Sequence, residues 1–290
     1  DMGDNLTIVD LGSGRTATAI AAGKHHTCAI LDNSSVKCWG SNASGQLGLG
    51  DNSTRGDGSN EMGDYLTAID LGSGRTATSI TTGTGYTCVL LDDDSVKCWG
   101  RANYGQLGAG KTEEYDEPNA SPIDLGTGRT ATAIASGNFH TCAILDNSSI
   151  KCWGFNASGQ LGQGDTSTVW RSSDLGDSLL AVDLGAGRTV RAIAAGDNHT
   201  CVVLDNTSVK CWGKNESGQL GLGDNSTYGD GSGEMGDNLT IVDLGTGRTA
   251  TAIEAGNSHT CAILDNSSIK CWGFNASGQL GQGDTSTVWR

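Results

Sequence analysis

The residues of this 290-residue chain with most chemical potential are ten cysteines and a dense set of asparagines. The cysteines fall into five C-x9-C pairs: Cys28 with Cys38, Cys88 with Cys98, Cys142 with Cys152, Cys201 with Cys211, and Cys261 with Cys271. Thiols paired at one fixed spacing are either disulfides or soft metal ligands. A histidine stands two residues before the first cysteine at His26, His140, His199 and His259, but Tyr86 takes that place in the second pair. No fourth ligand recurs, and the spacing is not that of C-x2-C zinc sites, so disulfides are preferred and no metal site is assigned. Five bridges with no cysteine left over imply an oxidising, extracellular compartment.

The asparagines point the same way. Fourteen of the 18 stand in N-x-S/T, the acceptor motif for N-linked glycans. Covalent glycans are expected at Asn5, Asn33, Asn42, Asn52, Asn147, Asn156, Asn206, Asn215, Asn225, Asn238, Asn266 and Asn275. Asn198 is set aside because it precedes a His-Thr of the expected core, and Asn119 because Pro122 follows its motif.

No catalytic set emerges. There is no nucleophile with a base, no catalytic carboxylate pair and no phosphate-binding loop, so no enzyme activity and no cofactor are assigned. A catalytic centre breaks repeat symmetry, whereas the differences along this chain fall in loop lengths and surface positions. Tyr104, Tyr115, Phe139 and Trp170 are scattered in sequence and give no obvious aromatic face. Trp39, Trp99, Trp153, Trp212 and Trp272 recur in a C-W-G motif suited to strand packing. Arg15, Arg75, Arg129, Arg188 and Arg248 each lie five residues past an aspartate (Asp10, Asp70, Asp124, Asp183 and Asp243), and an ion pair is expected between them. With 18 basic against 33 acidic side chains, the net charge of −15 disfavours nucleic acid as a partner. No apolar run approaches the length of a membrane-spanning helix.

The elements that position these residues are set by a repeat. The first cysteines are 60, 54, 59 and 60 residues apart, and His140–Arg171 returns letter for letter as His259–Arg290. Within a unit, Thr18–Gly23, His26–Leu31, Ser35–Trp39 and Leu6–Gly12 read as short strands, joined by Gly/Asn/Asp/Ser loops that exclude helix. If Asp32-Asn33-Ser34 is a three-residue hairpin loop, Leu31 faces Ser35 and Cys28 faces Cys38, within disulfide reach. Ser34 then occupies a place where such a turn prefers glycine. Four strands per unit, repeated along the chain, predict an all-β fold of β-propeller blades.

The phrase H-T-C-A-I-L…V-K-C-W-G and the close G-Q-L-G at Gly45–Gly48, Gly105–Gly108, Gly159–Gly162, Gly218–Gly221 and Gly278–Gly281 resemble the regulator-of-chromosome-condensation repeat family. The resemblance covers essentially the whole chain and implies a propeller of four-stranded blades, commonly seven to a ring where five are present here. One branch of the family senses light through tryptophans in a Gly-Trp-Arg-His-Thr motif, which this chain lacks. The expected organisation is one repeat domain: an orphan outer strand at 1–12, blades at 13–72, 73–126, 127–185 and 186–245, and a fifth at 246–290 lacking its outer strand. Either the two ends meet within the chain, or each meets a neighbouring chain, or the sequence is a window on a longer repetitive protein. A chain beginning at Asp1 is expected to be processed or a segment. The function expected is a non-enzymatic, secreted, N-glycosylated structural protein, a repeat unit of a fibre or cell-surface assembly whose partner is itself. A secreted binding module for a protein or glycan is the alternative. The nucleotide-exchange activity for which the family is named does not fit disulfides, sequons and the absence of a basic tail.

Overall fold

A computed structural model describes residues 6–110, 114–118 and 121–288. Five antiparallel sheets follow one another along the chain, each of three strands in sequence order. They are β1 (Ala17–Ala22), β2 (His26–Leu31) and β3 (Val36–Gly40); β4 (Ala77–Thr82), β5 (Tyr86–Leu91) and β6 (Val96–Gly100); β7 (Ala131–Ser136), β8 (His140–Leu145) and β9 (Ile150–Gly154); β10 (Val190–Ala195), β11 (His199–Leu204) and β12 (Val209–Gly213); and β13 (Ala250–Ala255), β14 (His259–Leu264) and β15 (Ile269–Gly273). The other regular elements among the described residues are four 3₁₀ turns.

The central hairpin of each sheet has the register expected from its loop. Cys28 pairs with Cys38 and Ile30 with Val36 across β2 and β3, and Leu31 N donates to Ser35 O at 2.8 Å. The third loop residue is left-handed in every copy, at Ser34 (φ 61°), Asp94 (61°), Ser148 (60°), Thr207 (66°) and Ser267 (64°). A non-glycine residue there is strained, most of all the β-branched Thr207. The loop is braced in return: Asn33 Oδ1 accepts from both the backbone N and the Oγ of Ser35, at 3.2 and 2.7 Å.

The register brings every predicted cysteine pair together as a disulfide. Cys28 is bonded to Cys38, Cys88 to Cys98, Cys142 to Cys152, Cys201 to Cys211 and Cys261 to Cys271, with Cα atoms 4.0–4.1 Å apart. No cysteine is left free among the described residues.

The fourth run of each repeat departs from the strand expected of it. Leu66–Gly72 lies beside β3 but touches it through one hydrogen bond of the run, Ile69 N to Val36 O at 2.9 Å. Val182 and Val242 contact Ile150 O and Val209 O in the same way. The buried positions explain why. Leu66, Ile69 and Leu71 face inward, a spacing of three and then two, where a strand would alternate. Leu66, Leu179 and Leu239 begin their runs at φ −78°, −80° and −72° with ψ near 112–115°, towards polyproline II geometry. The opening copy, Leu6–Gly12, is likewise no strand, and Leu6 and Ile8 are 66% and 90% exposed. Residues 1–5, with the predicted glycan site Asn5, lie outside the described residues.

The chain divides into two compact units, Asp1–Arg101 with Glu114–Pro122, and Ala102–Glu113 with Ile123–Arg290. In the first, the core lies between successive sheets: Cys28, Ile30, Val36, Cys38 and Leu47 pack with Ile69, Leu71, Val89, Leu91 and Trp99. In the second, two such cores repeat, one around Trp212 and one around Trp272. The disulfides of the first four blades are fully buried, Cys88, Cys98 and Cys211 included, so they serve as apolar filling as well as cross-links. Only Cys261 and Cys271 of the last blade are half-buried.

Candidate functional site

What the repeat builds, over and over, is a polar junction between neighbouring blades. The backbone carbonyl of the glutamine in G-Q-L-G accepts two hydrogen bonds from the next blade. At Gln46 O the donors are Thr87 Oγ1 (2.9 Å) and Trp99 Nε1 (3.0 Å). Thr141 and Trp153 do the same at Gln106, Thr200 and Trp212 at Gln160, and Thr260 and Trp272 at Gln219. The glycine two residues on must lack a side chain: a Cβ on Gly48 would lie 2.6 Å from Trp99 Nε1. The tryptophans thus join blades as well as packing strands.

The histidines complete this junction. His26 Nε2 lies 2.9 Å from Thr87 Oγ1, His140 Nε2 3.0 Å from Thr200, and His199 Nε2 2.9 Å from Thr260. Because each threonine hydroxyl spends its one hydrogen on a glutamine carbonyl, the imidazole must be the donor, which assigns the Nε2–H tautomer. Among the described residues, Nδ1 of His26 and of His199 is then a buried lone pair without a hydrogen-bond partner. Burial, with His25 adding to it, pushes His26 down to about 4; burial alone brings His140 to about 4. Burial, with His140 and His259 nearby, takes His199 to about 3. These groups are neutral structural donors. Among the described residues no three His, Cys, Asp or Glu side chains cluster as a metal site.

A second recurring device escaped the sequence reading. The K-C-W lysines of the first four blades are nearly buried in the sheet, and at Lys37, Lys151 and Lys210 the ammonium is capped by carbonyls of the fourth run and the 3₁₀ turn. Lys37 Nζ donates to Leu11 O (3.0 Å) and Gly63 O (2.7 Å), Lys151 to Leu125 O and Gly176 O, and Lys210 to Leu184 O and Gly236 O. Burial pushes Lys151 and Lys210 below the usual lysine range, opposed by Asp177 and Asp124 at the first and Asp237 and Asp183 at the second. The available signal was a lysine in the middle of an otherwise apolar strand, in all five copies.

The predicted arginine pairs form with a different partner. Arg15, Arg75, Arg129, Arg188 and Arg248 reach the hairpin aspartates Asp32, Asp92, Asp146, Asp205 and Asp265 at 3.1–3.5 Å. Asp10 and its counterparts are taken up locally, each accepting from the glycine N–H two residues on. The aromatic residues also differ from expectation. Tyr104 and Phe139, distant in sequence, stand 4.9 Å apart between ring centroids, and Phe155 lies 5.0 Å from Tyr104.

The predicted glycan sites divide. Asn33, Asn52, Asn147, Asn206, Asn225, Asn238 and Asn266 are exposed. Asn42, Asn156, Asn215 and Asn275 are not: each is 0% exposed. The Asn42 amide donates to Asp51 O at 2.7 Å while its Oδ1 accepts from Leu47 N at 2.8 Å, and the other three make the same two bonds. A sugar on such a nitrogen has no exit from the fold, so these four brace the G-Q-L-G loop and are withdrawn as glycan carriers.

A family model described as the regulator of chromosome condensation (RCC1) repeat matches residues 17–46, 77–106, 131–160, 190–219 and 250–279, and a second of the same description matches 93–144. The chain is 30% identical over 276 residues to the ultraviolet-B receptor UVR8 of Arabidopsis thaliana, covering 93% of this chain and 56% of that protein. It is 26% identical over 252 residues to the human E3 ubiquitin-protein ligase HERC2, of which it spans 5%. Yeast RCC1 (Prp20), solved bound to Kap60, superposes with a TM-score of 0.74 at 19% identity, covering 95% of this chain and 60% of that one. The chain therefore spans little more than half of UVR8 and a small part of HERC2.

Proposed function

The chain belongs to the regulator of chromosome condensation (RCC1) repeat family, and from that premise we propose that it is a non-enzymatic, extracellular structural propeller, disulfide-stapled and N-glycosylated, that assembles with further copies of itself. The observation that carries this reading is the repetition of one disulfide and one junction in blade after blade. Repetition of that kind serves an array, in which every contact must be alike.

Electron microscopy of native, unreduced protein across a dilution series tests this. Filaments or layers with an axial repeat of whole blades are expected. Discrete particles at every concentration would overturn assembly and leave the second reading, a secreted binding module. That reading has its own support, because Tyr104, Phe139 and Phe155 gather into one aromatic group.

A further inference from the structure

Among the nearly buried lysines, that of the second blade departs from the repeat. Lys97 is 9% exposed, close to Lys37, Lys151 and Lys210, yet among the described residues its ammonium has a single hydrogen bond, to Leu71 O at 3.1 Å; the exposed Lys270 of the last blade also has one. A shorter segment accompanies this difference. Arg55 and Gly72 are 17 positions apart, as are Tyr228 and Gly245, but the equivalent Tyr115 and Gly126 are only 11 apart. The missing residues are those of the Met-Gly-Asp turn. In blades one and four that turn supplies the second carbonyl to the lysine (Gly63 O, Gly236 O) and an aspartate close to it.

A cavity of about 650 Å³ lies beside Lys97. Its lining includes Leu49, Arg55, Tyr65, Asp70, Lys97 and Glu117, all within the first compact unit. The equivalent groove of the third and fourth blades measures about 260 Å³ and has Met235 of the intact turn in its wall. A second departure from the repeat meets the first here. Tyr65, 71% exposed on the cavity rim, stands where Ser178 and Asn238 occur in other units.

We propose that this cavity is a binding site for a neutral oligosaccharide. Its size falls within the ~300–1,000 Å³ of small-molecule sites. Arg55 is engaged by Asp51 at 2.5 Å, leaving one ammonium, Lys97, beside the carboxylates of Asp70 and Glu117. A bare anion would gain one cation and face two like charges. A sugar uses all three: a hydroxyl oxygen accepts from Lys97 Nζ, as the turn carbonyl does at Lys37 and Lys210, and neighbouring hydroxyls donate to the carboxylates. The C–H face of a pyranose covers the exposed ring of Tyr65. This inference goes beyond the scaffold role and holds whether or not the propeller assembles.

Saturation-transfer NMR and titration calorimetry of the full chain decide it, with maltose, lactose, cellobiose and N,N′-diacetylchitobiose as probes and sodium acetate and citrate as anion controls. At least one disaccharide is expected to bind at millimolar or better Kd. Lys97→Met and Tyr65→Ala should each weaken it tenfold or more, while Lys210→Met leaves it unchanged. Near-UV circular dichroism establishes that each variant is folded; Tyr65, on the surface, carries the test if Lys97→Met is not. Binding of none of the four sugars, binding indifferent to Tyr65→Ala, or binding of the anions alone would overturn the proposal.

Discussion

His199 shows how a single side chain links the junction to solution conditions. It is neutral in the fold at about 3, against 6.5 for an unperturbed imidazole. Between those values the unfolded chain binds a proton that the folded chain refuses, so stability is complete above pH 6.5 and is lost as pH falls towards 4 and below. His26 and His140, at about 4, act in the same direction and the same window. Thermal melts from pH 7.5 to 4 should therefore show a falling Tm, each buried histidine contributing on the order of 3 kcal/mol. A flat profile across that range would mean that the imidazoles are charged in the fold. The hydroxyl in the same chain of donors is testable alone. Thr260→Val keeps the shape but removes the acceptor for His199 and a donor to Gln219 O, and should cost about 1–3 kcal/mol in chemical denaturation.

The hairpin is the element most readable from sequence, because its loop length and cysteine spacing must agree on one register. Cys28 opposite Cys38 satisfied both, and so did Cys88 opposite Cys98, Cys201 opposite Cys211 and Cys261 opposite Cys271. Removing one bridge, as in Cys142→Ala with Cys152→Ala, should cost about 2–3 kcal/mol by the loop-closure relation for a short ring, seen as a lower denaturant midpoint. Thr207→Gly should raise stability by up to ~1 kcal/mol, seen as a higher midpoint, since it relieves a β-branched residue at φ 66°. Ser148→Gly should gain less. The fourth run was less legible. Its β-branched composition suggested a strand, but the burial of Leu66, Ile69 and Leu71 follows a spacing that no ladder produces. The arginine partners were missed because Asp10 and its equivalents bond the nearby glycine N–H. Local sequence cannot say which of two aspartates is already occupied. The capped lysines were missed because their acceptors are backbone carbonyls about 26 residues away, which no side-chain motif announces.

For the whole molecule, exposure decides where glycans can stand. Enzymatic release of N-glycans converts each carrier asparagine to aspartate, which peptide mass spectrometry counts. Conversion is expected among Asn33, Asn52, Asn147, Asn206, Asn225, Asn238 and Asn266, and none at Asn42, Asn156, Asn215 or Asn275. Conversion at the buried four would mean that the G-Q-L-G loop folds differently. The cross-links have a further consequence at this scale. Every disulfide joins residues ten apart, inside one hairpin, and none ties one blade to another. In covalent terms the protein is a string of five small closed rings. One protease cut in any connecting segment severs the string outright. The two pieces would then part on a denaturing gel run without any reducing agent, and between blades only the hydrogen-bonded, packed junctions would have held a nicked molecule together.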